Sequence, residues 1–283
     1  MRRKLIIKTD ETDIPFYCHP DETKEDPFQA HIIRGVTYQR IKGVSADNIV
    51  DVGANIGAAS VFFALNYPEA SIFSFEPVIK NYKLAKENTQ HFKNIKIFNF
   101  GAYDENKRAN IYLNQRNSGS HSIIRNWRGS DDKKSEKIRL INLGEFLPSL
   151  KVSIVDVLKI DTEGCELPIL NSLSQFIPNI KVIYLEYHTS ADKKKIITIL
   201  GKTHYVAKDN LVGAINFPVK KNILGRICAK KVSLEKKVII DRGEVVTSEK
   251  LEDLLRYNIE SVLLFVNMMG ELTLVNKNKK ILF

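Results

Sequence analysis

The chain of 283 residues has little of what would classify it at a glance. Cysteine occurs only three times, at Cys18, Cys165 and Cys228. An odd number of widely separated cysteines indicates neither a disulfide framework nor a zinc cluster, and a reducing, cytoplasmic setting is expected. No segment approaches the ~18 uninterrupted apolar residues of a membrane span. The basic start Arg2-Arg3-Lys4 is followed only by Leu5-Ile6-Ile7 before Lys8, too short for the apolar part of a secretion signal. Internal repeats and long Pro/Gly/Ser linkers are also missing. A hydrophobic share of 43% with 27% charged residues excludes a disordered chain.

Acidic residues are in deficit, 33 against 43 basic ones, a net charge of +10. That surplus admits nucleic acid, anionic lipid or acidic glycan as partner without selecting among them. Arginine is the scarcer cation, 12 against 31 lysines, whereas forked recognition of bases and phosphates favours arginine. Nucleic acid is therefore not the favoured partner. Half of the surplus, +5, falls in residues 219–283.

What is present is a rhythm. After a mixed entry segment, 1–45, with strand-like Lys4–Lys8 and a helical or loop stretch over 28–44, strands alternate with helices. Strands are predicted at 48–52, 71–75, 95–100, 155–160 and 181–187, and helices at 58–66, 78–91, 165–176 and 192–200. This spacing predicts an α/β domain over 46–218, a mostly parallel sheet with helices on both faces. His204–Lys208 and Gly213–Phe217 are expected to close it as a hairpin. Residues 103–150 interrupt the rhythm: strand-like Ala109–Leu113 and Ile138–Ile141 flank a polar stretch, Asn114–Lys137, read as a binding loop or lid. Residues 219–283 form a small α+β appendage, a candidate surface for a second copy of the chain. There Thr247-Ser248 should cap a helix presenting Leu251, Leu254 and Leu255, and Ser261–Val266 and Glu271–Val275 should form a hairpin about Gly270.

Asp51-Val52-Gly53-Ala54-Asn55-Ile56-Gly57 joins the first core strand to its helix, at the sheet edge where cofactors lodge. A dinucleotide fingerprint would need glycine at 55 and 58, where Asn55 and Ala58 stand. Asp51 would moreover set a negative charge near a diphosphate. Glu76, in Phe75-Glu76-Pro77 after the second strand, can accept hydrogen bonds from both hydroxyls of a ribose. Together Asp51 and Glu76 suggest a nucleoside bearing positive charge, which points to S-adenosylmethionine.

These segments, with Asn99-Phe100-Gly101-Ala102-Tyr103-Asp104, Lys159-Ile160-Asp161-Thr162-Glu163-Gly164-Cys165-Glu166 and Leu185-Glu186-Tyr187-His188, resemble the FkbM family of S-adenosylmethionine-dependent methyltransferases, of the Rossmann-like class I group. The resemblance covers about 30–218. It implies that Asp51 serves the methionine end of the cofactor, Glu76 its ribose, and Gly101 and Ala102 its adenine. Gly53, Ala54, Asn55, Gly57, Pro77 and Asp161 complete the implied cofactor site. Cys165 stands where the family commonly has alanine and is read as packing, not as a nucleophile.

Methyl transfer from a sulfonium is an in-line displacement that needs alignment, exclusion of water and removal of the acceptor proton. Asp161, Glu163, Glu186 and His188 are expected to converge at the edge that holds Gly53. His188 or Asp161 is the expected base for a hydroxyl acceptor. A divalent metal is left open, with Asp161, Glu186 and His188 as its ligands if there is one. Glu163 and Glu166 also fit the first turn of a helix, where carboxylates are favoured. In the insertion, His121 is a second candidate base, and Trp127 beside Arg128 would either stack on a sugar or pin the loop to the core. The acceptor the resemblance implies is a sugar, glycan or small natural product. RNA methylation and cofactor binding without catalysis are the alternatives.

Overall fold

A computed structural model describes residues 3–9, 12–20, 28–114, 117–127, 131–211, 214–220, 223, 224, 226, 228, 231–234, 237–241, 244–257, 259–265 and 270–279. Arg2, Arg128, Gly213 and Val266, named above, lie outside the described residues.

In chain order the elements are β1 (Arg3–Lys8), β2 (Asp13–Cys18), α1 (Phe28–Ile33), β3 (Asn48–Val52), α2 (Ala58–Asn66), β4 (Ser71–Phe75), α3 (Ile79–Thr89) and β5 (Ile95–Phe98). Then come β6 (Gly101–Tyr103), β7 (Lys107–Leu113), β8 (Asp131–Asn142), α4 (Leu143–Ser149), β9 (Val157–Ile160), α5 (Glu166–Ser172), β10 (Val182–Tyr187), α6 (Ser190–Leu200) and β11 (His204–Leu211). The remainder is β12 (Ala214–Pro218), β13 (Val232–Leu234), β14 (Lys237–Ile240), α7 (Ser248–Arg256), β15 (Ser261–Phe265) and β16 (Gly270–Asn276).

The alternation read from the sequence produces a seven-stranded sheet in the order β11-β16-β10-β9-β3-β4-β5. From β10 to β5 every neighbouring pair is parallel. Strands buried on both faces need near-continuous apolar sequence, and Ile49-Val50, Ile72-Phe73 and Val157-Leu158 supply it. On one face Ile49, Ile72, Val157, Val182 and Tyr184 pack with Phe62 and Phe63 of α2. On the other, Phe75, Phe98 and Phe100 surround Phe146 of α4, with ring centroids 5.0–6.2 Å from it.

The expected closing hairpin is not formed. β11 has β16 as its neighbour in the sheet, whereas β12 pairs antiparallel with β15. The hairpin expected about Gly270 is likewise replaced, since β15 and β16 lie in different sheets. Period-two patterning marks a strand but not its partner, and β16 finds a backbone edge beside β10 that the sequence order does not announce. The C-terminal strand therefore completes the main sheet. The insertion is also more regular than expected: residues 131–137 extend β8, which pairs with β7 and with β6.

Two compact units result, one of 1–186, 195–208 and 272–283, the other of 187–194 and 209–271. The second unit has its own core, with Ile223, Cys228, Ile240, Val246 and Leu254 buried. The side chain of Thr247 caps α7 by accepting from the Lys250 N–H at 3.3 Å. Leu251 and Leu254 are buried as expected, whereas Leu255 is 52% exposed. No described helix is long and apolar enough to cross a membrane.

Candidate functional site

The glycine turn is held by its own backbone. The N–H groups of Gly53 and Ala54 both donate to the Phe75 carbonyl, at 3.1 and 3.0 Å, and that of Gly57 donates to the Ala54 carbonyl at 2.8 Å. The Asn55 N–H donates to Oε2 of Glu76 at 2.8 Å. A dinucleotide site offers such N–H groups to phosphate; here these four are engaged within the protein. Gly53 has φ +78°, and a Cβ on it would fall on the Asp161 carbonyl oxygen, so the turn and the end of β9 touch through backbone. Asn55, at φ 50°, is a non-glycine residue in the left-handed region, and among the described residues no hydrogen-bond donor meets its buried side-chain Oδ1.

Glu76 is 5% exposed. Its second oxygen accepts from the Val78 N–H at 2.9 Å. Burial, partly offset by those two N–H donors and the Lys159 charge, pushes its carboxyl up to about 8. Pro77 follows it, and Asn99 clasps the carbonyls of both residues at 3.0 Å. Gly101 and Ala102 form the short strand β6 opposite Leu140 and Ile141. A Cβ on Gly101 would lie 3.5 Å from Pro77, so these residues back the Glu76 corner.

Register aligns the charged residues at the carboxyl edge. Asp51 of β3 pairs with Lys159 of β9, and Lys159 with Tyr184 of β10. Two residues further, Asp161 and Glu186 stand side by side on the same face. Lys159, 3% exposed, was not anticipated; the one signal for it is a lone cation inside the apolar run Val157–Ile160. Its Nζ donates to the Gly53 carbonyl at 2.6 Å and to that of Val52 at 3.3 Å. It also lies 3.3 Å from Asp51 and 3.7 Å from Asp161. Burial works to lower its ammonium, but the Asp51 and Asp161 charges outweigh that and hold it above its ordinary value.

Asp51 stands near the end of β3. It is fully buried beneath the turn, held by Ser60, whose hydroxyl donates at 2.7 Å, and by Lys159. Glu186 is governed first by burial, then by the Asp161 charge and a hydrogen bond to it, then by Glu163 and Glu166. Together they hold its carboxyl well above the usual range.

Glu163 is not in a helix. It sits before α5 at φ 55° and accepts from the Trp127 indole N–H at 2.8 Å. The Ser122 hydroxyl donates to the Glu163 carbonyl at 2.6 Å. Beside it Gly164, at φ +109°, leaves room for Ile124 and Trp127, which a Cβ would meet at 2.7 and 3.2 Å. Trp127 therefore pins the insertion to the turn after β9. Replacing it by phenylalanine removes one hydrogen bond to a buried carboxylate. The expected loss of stability is roughly 1.5–3 kcal/mol, readable as a lower denaturation midpoint with an unchanged slope.

Glu166 does lie in the first turn of α5, and its Oε1 accepts from the Thr162 N–H, the Thr162 hydroxyl and the Gly164 N–H. That is a cap, the structural alternative for this residue. The Cys165 thiol is pushed up to about 12 by burial and the Glu166 charge, so it is inert packing. Nδ1 of His121 accepts from the Asn114 N–H at 2.9 Å, which leaves the proton of the neutral ring on Nε2. His121 therefore presents a donor, not the acceptor that a base needs. His188 is 4% exposed and belongs to the second unit, one residue beyond β10. Among the described residues no group of three or more His, Cys, Asp or Glu is arranged to hold a metal ion.

A mostly parallel sheet in this order, with a glycine turn and a buried acidic residue at adjacent strand ends, defines a Rossmann-like α/β protein. The chain belongs to the Methyltransferase FkbM domain family, whose pattern matches residues 51–211. Among characterised relatives, it is 23% identical over 158 residues to hexuronic acid methyltransferase AglP of Haloferax volcanii, covering 55% of this chain and 62% of that one. It is 24% identical over 179 residues to the AMB antimetabolite synthetase AmbE of Pseudomonas aeruginosa, covering 51% of this chain and 8% of that much longer one. Among solved structures, the Methanococcus jannaschii fibrillarin pre-rRNA processing protein aligns over 98% of this chain and 84% of its own. The TM-score is 0.45 at 11% identity, too distant to bear on function.

Proposed function

We propose that the protein is an S-adenosylmethionine-dependent O-methyltransferase whose acceptor is a hydroxyl of a sugar, glycan or small natural product. The observation that carries this reading is the arrangement of Glu76, the glycine turn and the Asp161–Glu186 carboxyl pair on the ends of adjacent strands. Membership of a methyltransferase family and a sugar-acid methyltransferase among the relatives support the reaction and the acceptor class.

The residues present fit the cofactor. Each Glu76 oxygen accepts one backbone N–H and keeps a lone pair for a ribose hydroxyl. Asn55 Oδ1, a buried acceptor without a donor among the described residues, lies at the same corner. The glycine turn binds through shape, since its N–H groups are engaged. When bound, S-adenosylmethionine supplies an electrophilic methyl group on a sulfonium. Asp161, with 29% of its side chain exposed, is the carboxylate left accessible to take the acceptor proton. Glu186 stands beside it, and the insertion, pinned through Trp127 and Ser122, covers the edge against water. His188 remains the second candidate base. A reducing, cytoplasmic setting belongs to the same reading, from the odd number and wide separation of the cysteines.

The pH dependence of cofactor binding follows from Glu76. Ribose hydroxyls donate to the ionised carboxylate, so binding draws on the fraction already ionised. With the carboxyl at about 8, that fraction is roughly one in eleven at pH 7 and ten in eleven at pH 9, so affinity for S-adenosylhomocysteine should rise about tenfold over that span. Apo stability should move the other way. The folded protein binds this proton more tightly than the unfolded chain, so stability falls as pH rises from the ordinary carboxylate range to about 8. Calorimetry across pH tests both, and Glu76→Gln should flatten the binding slope.

Calorimetric titration with S-adenosylhomocysteine is the primary test, because no binding would remove the foundation. Labelled S-adenosylmethionine offered with uronic acids, neutral saccharides and RNA then separates the acceptors. Label entering RNA but no saccharide would replace the acceptor class proposed here. Cofactor binding with label entering none of them would favour a non-catalytic binding role.

A further inference from the structure

Two buried asparagines, Asn81 and Asn88, stand on one face of α3, and neither enters the chemistry described above. Asn88 grips the backbone of Tyr17 in β2, its Oδ1 accepting from the N–H at 2.8 Å and its Nδ2 donating to the carbonyl at 2.9 Å. The same Nδ2 donates to the Ile56 carbonyl, inside the glycine turn, at 2.8 Å. Asn81 makes a matching link to the insertion. A carbonyl only accepts, so the Asn81 amide turns its Nδ2 to the Ser118 carbonyl, 3.1 Å away. Its Oδ1 then accepts from Nε2 of His19, a buried residue just beyond β2, at 2.9 Å. Next to Ser118, Gly119 lies against Asn55: a Cβ on it would come within 3.3 Å of Asn55 Nδ2. The turn is folded on itself, the Gly119 N–H donating to Asn117 Oδ1 at 2.9 Å and Asn117 Nδ2 to the Ser120 hydroxyl at 2.8 Å. Ser122 fixes its far end, pairing with Tyr112 through backbone and with the Glu163 carbonyl through its hydroxyl.

Resting on the reading of Glu76 and Asn55 as the cofactor corner, we propose that Asn81 is a positioning residue for cofactor binding. It holds Ser118 and Gly119 against Asn55, so that the insertion walls the nucleoside end of the site as well as the reaction edge. Asn81 acts on the turn and not on the ligand. The N-terminal hairpin β1-β2, which lies outside the family match over 51–211, leads into the His19 donor that fixes its amide. A wall of this kind slows the escape of a bound nucleoside more than its entry, so its loss is read in the dissociation rate. Glycine at 119 suits the same duty, since a side chain there would press on both Asn55 and Asn117.

The test uses the full chain. Asn81→Leu keeps the volume and removes the bond to Ser118. Amide hydrogen exchange over residues 117–122 should then be faster than in wild type, with exchange in β3 and β4 unchanged. Dissociation of S-adenosylhomocysteine, followed by surface plasmon resonance, should be about tenfold faster with the association rate little altered. Should Asn81→Leu fail to fold, Gly119→Val works from the exposed side: its side chain wedges the turn away from Asn55, and the same two changes are expected. Folded variants with unchanged exchange over 117–122, or with faster exchange and wild-type dissociation, overturn the proposal. The reading beneath it fails separately, when the wild-type chain binds no S-adenosylhomocysteine; the exchange over 117–122 reports whether Asn81 holds the turn in either case.

Discussion

Gly53→Ala should abolish binding of S-adenosylhomocysteine and lower the melting temperature by roughly 10 °C, from a loss of about 3–5 kcal/mol. Two effects add. Alanine at φ +78° is strained. Its methyl group would also fall on the Asp161 carbonyl oxygen, which is backbone at the end of a central strand and has no rotamer to yield. If the chain folds by moving the turn, it separates the Gly53 carbonyl from Lys159 and the Asn55 N–H from Glu76. Either route destroys the corner. Thermal melting with calorimetry checks this, and wild-type affinity in the variant would mean that the ligand lies elsewhere.

Asp161→Asn should reduce kcat by roughly 10²–10⁴-fold, the range for loss of a general base, with affinity for S-adenosylhomocysteine changed far less. The amide keeps the shape and the backbone carbonyl that meets Gly53, but it no longer offers a carboxylate to the acceptor hydroxyl. The acid limb of the pH–rate profile should vanish with it. His188→Ala is the companion experiment. If it alone suppresses turnover while Asp161→Asn retains it, the imidazole is the base and the carboxyl pair has another purpose. Labelled methyl transfer to whichever acceptor the screen identifies provides the rate.

Much of the fold was legible because α/β alternation is written in local periodicity. Helix α2 and the strands β3 and β4 fall where the apolar runs and glycines predict them. Pairing was not legible in the same way. The sequence of β16 shows a strand, yet its place between β10 and β11 depends on an edge built by residues far away in the chain. Polar residues 131–137 read as loop, but β7 offers them a backbone partner, and a half-exposed strand tolerates polar side chains.

At the site, the sequence by itself determined which chemical groups reach the sheet edge. Strand length and turn position put Gly53, Glu76, Asp161 and Glu186 there, because parallel strands present their carboxyl ends together. Only the tertiary structure decided the state and duty of each group. Asp51 is buried against Ser60 and Lys159, His121 accepts through Nδ1, Trp127 pins the insertion, and Lys159 is a cation among carboxyl groups. Residue type fixes what a side chain is able to do. Burial and the neighbouring strand fix whether it carries a proton, and those are set by contacts between residues such as Lys159 and Val52, 107 positions apart.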